Sequence, residues 1–214
     1  MNLGAIIQSW KFKVSIITVL HLVGLLGFMN YIPIEGFEKL TPFNLLLSTF
    51  LMLCHYENFI KKSAIFFIII FLCGYLIELI GVKTQLIFGT YNYGKSLGIK
   101  LFDIPIIIGI NWVIMVGCTA AIATLLPVSN FAKAIIASIL MVALDLLIEP
   151  FAIKYDLWHW ANETVPLQNY LGWFICGLFM QFLFFRLNIK KDNTVAVWLY
   201  FIQVFFFLIL FLLN

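Results

Sequence analysis

The chain has 214 residues, of which 64% are hydrophobic and 11% are charged, and its formal net charge is +3. A water-soluble domain carries roughly 25% charged residues, so this composition excludes an ordinary soluble protein. The lysines lie beside the ends of apolar stretches and form no basic block, which gives no indication of a nucleic-acid partner.

Seven apolar stretches follow one another along the chain, each close to the roughly 20 residues that a membrane-spanning helix needs. They lie at about residues 13–30, 43–60, 64–82, 104–126, 131–149, 170–187 and 194–213. We therefore predict an all-α, polytopic membrane bundle of about seven transmembrane helices. The connections between the stretches are short, so we expect residues 1–214 to form one integral-membrane domain.

The lysine and arginine residues predict the orientation of the bundle. With the N-terminus in the cytoplasm, eight of these residues fall on cytoplasmic segments and five on outer segments. Basic residues are enriched on the cytoplasmic side of membrane proteins, so this distribution favours a cytoplasmic N-terminus.

Three carboxyl groups lie towards the outer ends of predicted helices. Glu78 lies one turn before the end of the third apolar stretch, and a polar, glycine-rich segment, Gly81 to Gly98, follows it. Asp145 and Glu149 are four residues apart near the end of the fifth stretch, so they share one helix face. We expect Pro150 to end this helix, because proline removes a backbone hydrogen bond.

Further polar and aromatic residues flank the same ends of the third to sixth stretches. We predict Asp145, Glu149 and Glu78 as catalytic residues. As substrate-binding residues we predict Tyr91, Asn92, Tyr93, Asn111, Trp112, Trp158, His159, Trp160, Asn169 and Trp173. Successive helices reverse direction, so all these residues fall in one half of the membrane, whichever way the chain is inserted. Carboxylates in spans usually face the protein interior or a water-filled cavity, which predicts a shared pocket.

Structural roles are an open alternative for each of these residues. Glu78 could reach the lipid headgroups, and Asp145 could make only a helix-to-helix hydrogen bond. Trp158 and Trp160 could be anchors in the aromatic belt at the membrane surface. The polar segment after Glu78 could be a plain interfacial hairpin instead of a cap over the pocket.

The motifs that the sequence lacks narrow the chemistry. It contains no histidine cluster of the di-iron type, no phosphate-binding or dinucleotide motif and no nucleophile elbow. The seventh stretch has no lysine for a retinal Schiff base, which excludes a rhodopsin. We therefore expect an acid–base pocket with no metal and no cofactor, suited to proton transfer with a lipid-soluble substrate.

Four segments of the chain resemble, in the right order, motifs of the CruF-type carotenoid biosynthesis proteins, the carotenoid 1',2'-hydratases. The segments are ELIGVKTQLIFGTYNY from Glu78, DIPIIIGINW from Asp103, DLLIEPFA from Asp145, and WHW from Trp158 with VPLQNYLGW after it. The resemblance covers about residues 74–187. That family usually has Thr-Gly followed by Pro-Phe-Gly, where this chain has Thr84-Gln85 and Ile87-Phe88-Gly89.

The resemblance implies addition of water to the C1'=C2' double bond of an acyclic carotenoid end group, as in γ-carotene or lycopene. In our hypothesis Asp145 protonates C2', and Glu149 or Glu78 activates water and stabilises the cation at C1'. The acid and base roles could be exchanged. The expected partners are the carotenoid, the lipid bilayer and other carotenoid-pathway enzymes, and the expected location is a bacterial inner membrane.

Two other functions fit the same composition. A membrane lycopene cyclase would begin with the same protonation, but such cyclases carry Pro-x-Glu-Glu, where this chain has VPLQNY with Gln168 and Asn169. Those neutral amides can hold a water, which favours hydration. A non-catalytic carotenoid carrier or small-molecule transporter is the third possibility, although the sequence shows no inverted repeat.

Overall fold

A computed structural model describes residues 9–56, 61–161, 163–187 and 193–213 of the chain. Within these residues seven α-helices follow one another: α1 (Trp10–Phe28), α2 (Thr41–Leu53), α3 (Lys61–Thr84), α4 (Ile107–Thr124), α5 (Asn130–Lys154), α6 (Leu167–Arg186) and α7 (Thr194–Leu213). Six of them, all except α2, are long and apolar enough to cross a membrane. The predicted all-α membrane bundle is confirmed.

The helix α2 is shorter than the predicted span 43–60. Its 13 residues measure about 20 Å at 1.5 Å per residue, less than the roughly 30 Å hydrocarbon core of a bilayer. A turn of 3-10 helix, Phe37–Leu40, lies directly before it and lengthens the helical segment. Residues 57–60 of the predicted span lie outside the described residues.

Two contacts show on which side of the bundle α2 ends. Lys13, near the start of α1, donates a hydrogen bond from Nζ to the backbone oxygen of Cys54 at 2.9 Å. Asn193, directly before α7, donates from Nδ2 to the backbone oxygen of Met52, also at 2.9 Å. The end of α2 therefore lies beside the starts of α1 and α7, as alternating helix directions require. Which end faces the cytoplasm stays a prediction.

The helix α4 forms the centre of the bundle. Fourteen of its 18 residues are buried, and it packs against α2, α3, α5, α6 and α7. A helix that is apolar on every face is expected to be surrounded by other helices. The site residues that α4 carries near its start are therefore enclosed by protein and not by lipid.

The prediction that Pro150 ends the fifth helix is wrong, because α5 continues to Lys154. Aromatic packing holds the extra turn: the rings of Phe28 and Phe151 meet edge to face at 4.7 Å between centroids. The hydroxyl of Tyr155 donates to the backbone oxygen of Phe28 at 2.8 Å. Membrane helices tolerate proline where neighbouring groups compensate for the lost backbone hydrogen bond.

A two-stranded ribbon covers the end of the bundle where α3 and α5 finish. Its strands are β1 (Tyr91–Tyr93) and β4 (Trp158–Trp160), which pair antiparallel. A second short hairpin, β2 (Lys100–Leu101) with β3 (Ile104–Pro105), leads into α4. The ribbon joins the polar segment after α3 to the tryptophan-rich loop after α5, two segments that are far apart in the sequence.

Candidate active site

Glu78 is buried on α3 and is surrounded by hydrogen-bond donors. Its Oε2 accepts hydrogen bonds from the hydroxyls of Tyr91 and of Tyr93, the latter at 2.7 Å. Its Oε1 accepts one from the indole Nε1 of Trp112 at 3.1 Å. The side chain is 3% exposed, so Glu78 points into the protein and does not reach towards lipid headgroups.

Glu149 on α5 has a matching environment. Its Oε2 accepts hydrogen bonds from the indole nitrogens of Trp158 at 3.0 Å and Trp160 at 2.9 Å. Its Oε1 accepts one from Nδ2 of Asn169 at 3.2 Å. The two tryptophans therefore bind a buried carboxyl group, a more specific arrangement than that of anchors in an aromatic belt.

Asn169 joins Glu149 to the third carboxyl group. The same Nδ2 that contacts Glu149 donates to Oδ2 of Asp145 at 2.9 Å. Asp145 lies one helical turn further from the ribbon than Glu149, a difference of about 6 Å in depth. The four-residue spacing thus places both acids on the face of α5 that packs against α6.

The ribbon explains how four aromatic donors reach two carboxyl groups. Side chains alternate between the two faces of a strand, so residues two apart share a face. Tyr91 and Tyr93 on β1 both donate hydrogen bonds to Glu78. Trp158 and Trp160 on β4 both donate to Glu149. The register pairs Tyr91 with Trp160, whose rings lie 5.0 Å apart, and Tyr93 with Trp158.

The same alternation removes two predicted residues from the site. Asn92 and His159 are paired in the middle of the ribbon, and both are exposed on its other face. His159 contacts Oδ1 of Asp156 through Nε2 at 2.6 Å. This hydrogen bond lowers the pKa of Asp156. Asn92 and His159 therefore face solvent, away from Glu78 and Glu149, and the suggestion that they bind substrate stays a prediction.

The two tyrosines keep their protons at neutral pH. Burial raises the pKa of Tyr91 well above its usual value, and the nearby Glu78 carboxyl group raises it further. Burial and Glu78 raise the pKa of Tyr93 in the same way. Both phenols are therefore fixed as hydrogen-bond donors to Glu78.

A pair of stacked indoles forms one wall of the site. The rings of Trp112 on α4 and Trp173 on α6 are nearly parallel, at 8°, with centroids 4.2 Å apart. Trp173 follows Asn169 by one turn, so α6 presents both to the same space. Gly74 on α3 makes room for this stack, since a Cβ there would lie 2.4 Å from the Trp112 side chain.

A small cavity lies between these groups. Its volume is about 20 Å³, enough for one water molecule. It is lined by Glu78, Phe88, Tyr91, Tyr93, Ile108, Asn111, Glu149, Trp158, Asn169 and Trp173. Asp145 is outside this lining and lies next to it, behind the shared amide of Asn169.

Phe88 is a site residue that the sequence interpretation missed. Its side chain is 1% exposed and inserts between two glycines, where a Cβ on Gly81 would lie 2.7 Å and one on Gly172 2.8 Å from its ring. The sequence signal for this role was a phenylalanine before Gly89 in a polar loop, together with one glycine on each of two flanking helices. Phe88 fixes the loop that leads into β1.

The geometry is complemented by comparison with known proteins. Residues 40–214 match the family model described as "Carotenoid biosynthesis protein". The chain belongs to this family. No solved structure matches the chain.

The match to the carotenoid biosynthesis family begins just before α2 and includes every element that builds the site. The chain is also similar to the bisanhydrobacterioruberin hydratase of Haloarcula japonica, with 28% identity over 144 residues. That alignment covers 61% of this chain and 49% of the relative. The chain thus spans about half the length of the curated relative that it matches.

Proposed function

We propose that this member of the carotenoid biosynthesis family is a carotenoid 1',2'-hydratase, acting on acyclic end groups of the γ-carotene or lycopene type. Family membership and the hydratase among its relatives support a carotenoid substrate and a hydration reaction. The observation that carries the proposal is the water-sized cavity between Glu78 and Glu149, with a third carboxyl group one turn deeper.

Asp145 is the best placed of the three carboxyl groups to be the general acid. Glu78 and Glu149 each accept three hydrogen bonds from described residues, so both are arranged as acceptors. Asp145 accepts one from Asn169 and is the deepest of the three in the apolar bundle.

The reaction has two steps. The Asp145 proton and the π electrons of the double bond form a new C–H bond at C2', which leaves a tertiary cation at C1'. The oxygen of the water then bonds to C1', and its surplus proton passes to Glu149 or Glu78. Asp145 loses one proton and Glu149 or Glu78 gains one, so the product is a tertiary alcohol and no redox reagent is consumed; passage of that proton back to Asp145 restores the acid.

The tryptophan stack would stabilise the cation. Trp173 lines the cavity, and its neighbour Trp112 is fixed by the hydrogen bond to Glu78. A cation over the face of an indole gains about 0.5–2 kcal/mol. The carboxylates beside the cavity add an electrostatic attraction, which acts more strongly in a site that excludes bulk solvent.

A lycopene cyclase is the second candidate, because it would use the same first step. In a cyclase the neighbouring double bond, and not water, captures the cation. Of the two amides in VPLQNY, Asn169 lines the cavity, whereas Gln168 donates to the backbone oxygens of Leu86 at 2.7 Å and Gln85 at 3.2 Å. A water-sized space lined by two glutamates and by the amides of Asn111 and Asn169 favours hydration.

Expression of the gene in cells that accumulate lycopene or γ-carotene tests the proposal. We expect a pigment heavier by one water, and its loss in Asp145→Asn while the variant protein still accumulates in the membrane. A product of unchanged mass but altered structure would indicate a cyclase. Unaltered pigment that copurifies with the protein would indicate a carrier, and retained hydration by Asp145→Asn would refute its role as the acid.

The proposed setting follows from the substrate. The carotenoid is dissolved in the bilayer, so the lipid membrane is the route by which it reaches the site, and a bacterial inner membrane is the proposed location. Other enzymes of the carotenoid pathway are proposed partners, since the substrate and product are shared with them.

A further inference from the structure

A second cavity, of about 260 Å³, lies on the opposite side of α5 from the carboxyl groups. Its walls come from α1, the 3-10 turn, α2 and α7, and from Phe151 of α5. Phe151 follows Glu149 by two residues, so the two side chains point about 200° apart around the helix. This space, which we name the α1–α2–α7 cavity, is therefore separate from the candidate active site.

The α1–α2–α7 cavity suits a neutral ligand from the bilayer. Among the residues that the structure describes, its lining includes no aspartate, glutamate, lysine or arginine. Val23 and Phe43 lie at its edge and are 43% and 59% exposed on the lipid-facing surface. A charged ligand would have no counter-charge on these walls, and burial of an unpaired charge is costly.

Two residues that line the cavity carry a buried polar atom that has no partner among the described residues. The atoms are Oε1 of Gln203 on α7 and Oγ1 of Thr41 at the start of α2. Gln203 as a whole is 95% buried, since its exposed fraction is 5%. An unsatisfied buried polar group costs about 1–3 kcal/mol, so both atoms gain if a ligand supplies the missing hydrogen bond.

His21 contributes a third polar atom to the cavity. Its Nδ1 lies 2.8 Å from the backbone oxygen of Ile17, and a carbonyl oxygen only accepts, so Nδ1 carries the hydrogen. In the neutral ring Nε2 is then an acceptor. The ring stands edge-on to Phe206, with centroids 5.4 Å apart, and lines the same cavity as Gln203.

We propose that the α1–α2–α7 cavity binds an isoprenoid alcohol, with its hydroxyl group on Gln203 and its hydrocarbon chain along the phenylalanines. A hydroxyl can accept from Thr41 and donate to either Gln203 or His21, so its chemistry complements these polar atoms. Diacylglycerol fits less well, because its ester oxygens are acceptors and cannot pair with Oε1 of Gln203 or Nε2 of His21. The choice of an isoprenoid rests on the proposed function, in which the product is such an alcohol.

Photo-labelling of the full-length protein in lipid nanodiscs tests the proposal. The probe is a diazirine derivative of geranylgeraniol, and its control is the same derivative without the hydroxyl. We expect the alcohol to label peptides of α1, α2 and α7 more strongly than the hydrocarbon. Gln203→Leu should reduce labelling by the alcohol roughly two- to tenfold, the effect of one hydrogen bond, and leave labelling by the hydrocarbon unchanged.

Two tryptophan variants of α1 form a matched pair. Val23→Trp places bulk at the edge of the cavity and should reduce labelling by both probes. Val19→Trp, one turn away at a position that is 57% exposed and outside the cavity lining, should have no effect. If Gln203→Leu does not fold, competition in the wild-type protein decides: unlabelled geranylgeraniol must suppress labelling, and its hydrocarbon counterpart must not.

Equal labelling by alcohol and hydrocarbon would overturn the proposal, because the cavity would then be filled by any apolar chain. Stronger competition by diacylglycerol than by geranylgeraniol would refute the isoprenoid occupant. These outcomes are independent of the catalytic assay: specific labelling together with an absence of hydrated pigment would refute only the proposed hydratase function.

Discussion

At the scale of single residues, the central feature is that each glutamate of the site accepts hydrogen bonds from donors on several elements. Glu78 receives them from β1 and α4, and Glu149 from β4 and α6. Such convergence fixes the side chains without a counter-ion in the described structure of the site. A change of one carboxyl group should therefore alter the chemistry more than the fold.

Glu78→Gln tests this expectation. The amide has nearly the same shape but carries no negative charge, so it cannot take a proton from water or stabilise the cation. We expect hydration to fall at least about 100-fold, within the range for lost acid–base catalysis, while the protein still accumulates in the membrane. Glu35→Gln, at an exposed position, is the matched control and should retain full activity. Equal activity of the two variants would remove Glu78 from the mechanism.

Gln85 shows a backbone feature that the sequence only hinted at. Its φ is +61°, the left-handed region that favours glycine, and glycine is the residue usual at this position in the family that the chain resembles. Its side chain partly compensates, since Oε1 accepts from the hydroxyl of Thr90 at 2.9 Å.

Gln85→Gly should stabilise the protein by up to about 1 kcal/mol, because glycine adopts this conformation without strain. Gln85→Ala should destabilise it, since alanine keeps the strain and loses the hydrogen bond to Thr90. Thermal unfolding in detergent compares the two variants with the wild-type protein. A lower melting temperature for the glycine variant than for the alanine variant would contradict this account.

Part of the site could be predicted residue by residue. Asp145 and Glu149 were placed on one face because their spacing is local, and Asn169 was placed near them because helix directions alternate. The partners of Glu78 could not be assigned in this way. Tyr91 and Tyr93 contact it across a loop, and the sequence pattern does not encode which aromatic residue turns towards which acid.

At the scale of elements, the two-stranded ribbon positions the aromatic hydrogen-bond donors of the site. Each strand has three residues, too short to be recognised by alternation, and the partner strands are separated by all of α4 and α5. The sequence therefore predicted two polar loops on one side of the bundle but not their pairing. Pairing was decided by tertiary contacts, as was the continuation of α5 past Pro150.

Removal of the tyrosine donors tests the ribbon. The double variant Tyr91→Phe with Tyr93→Phe leaves Oε2 of Glu78 without the two partners that it has in the structure. We expect hydration to fall at least about tenfold and the melting temperature to fall, since buried polar groups without partners are costly. Asn92→Ala and His159→Ala, on the outer face of the same ribbon, should change neither activity nor stability appreciably. Equal effects of inner- and outer-face variants would contradict the assigned faces.

At the scale of the whole molecule, the alternating direction of successive helices brings the three acids to one side of the bundle. The sequence predicted that the third to sixth stretches place their polar ends on one side, and the ribbon and the Tyr155–Phe28 hydrogen bond lie at that side. Hydropathy predicts the number and direction of the spans well, because lipid requires every spanning segment to satisfy its own backbone hydrogen bonds as a helix. It does not predict the short α2, whose length depends on how it packs against its neighbours.

The orientation of the bundle can be measured with single cysteines introduced into a cysteine-free protein in intact cells. A cytoplasmic N-terminus places the site at the outer surface, so a membrane-impermeant thiol reagent should label Asp103→Cys and not Val128→Cys. Both positions are exposed and lie at opposite ends of α4. The reverse labelling pattern would invert the orientation but leave the grouping of the acids unchanged.

The most direct test of the central claim is the origin of the oxygen in the product. Purified protein in nanodiscs is incubated with lycopene in water labelled with heavy oxygen, and the pigment is analysed by mass spectrometry. We predict one labelled oxygen per hydrated end group without any added cofactor, and no label with Asp145→Asn. A product that contains no oxygen from water, or an isomer of lycopene with unchanged mass, would contradict the account.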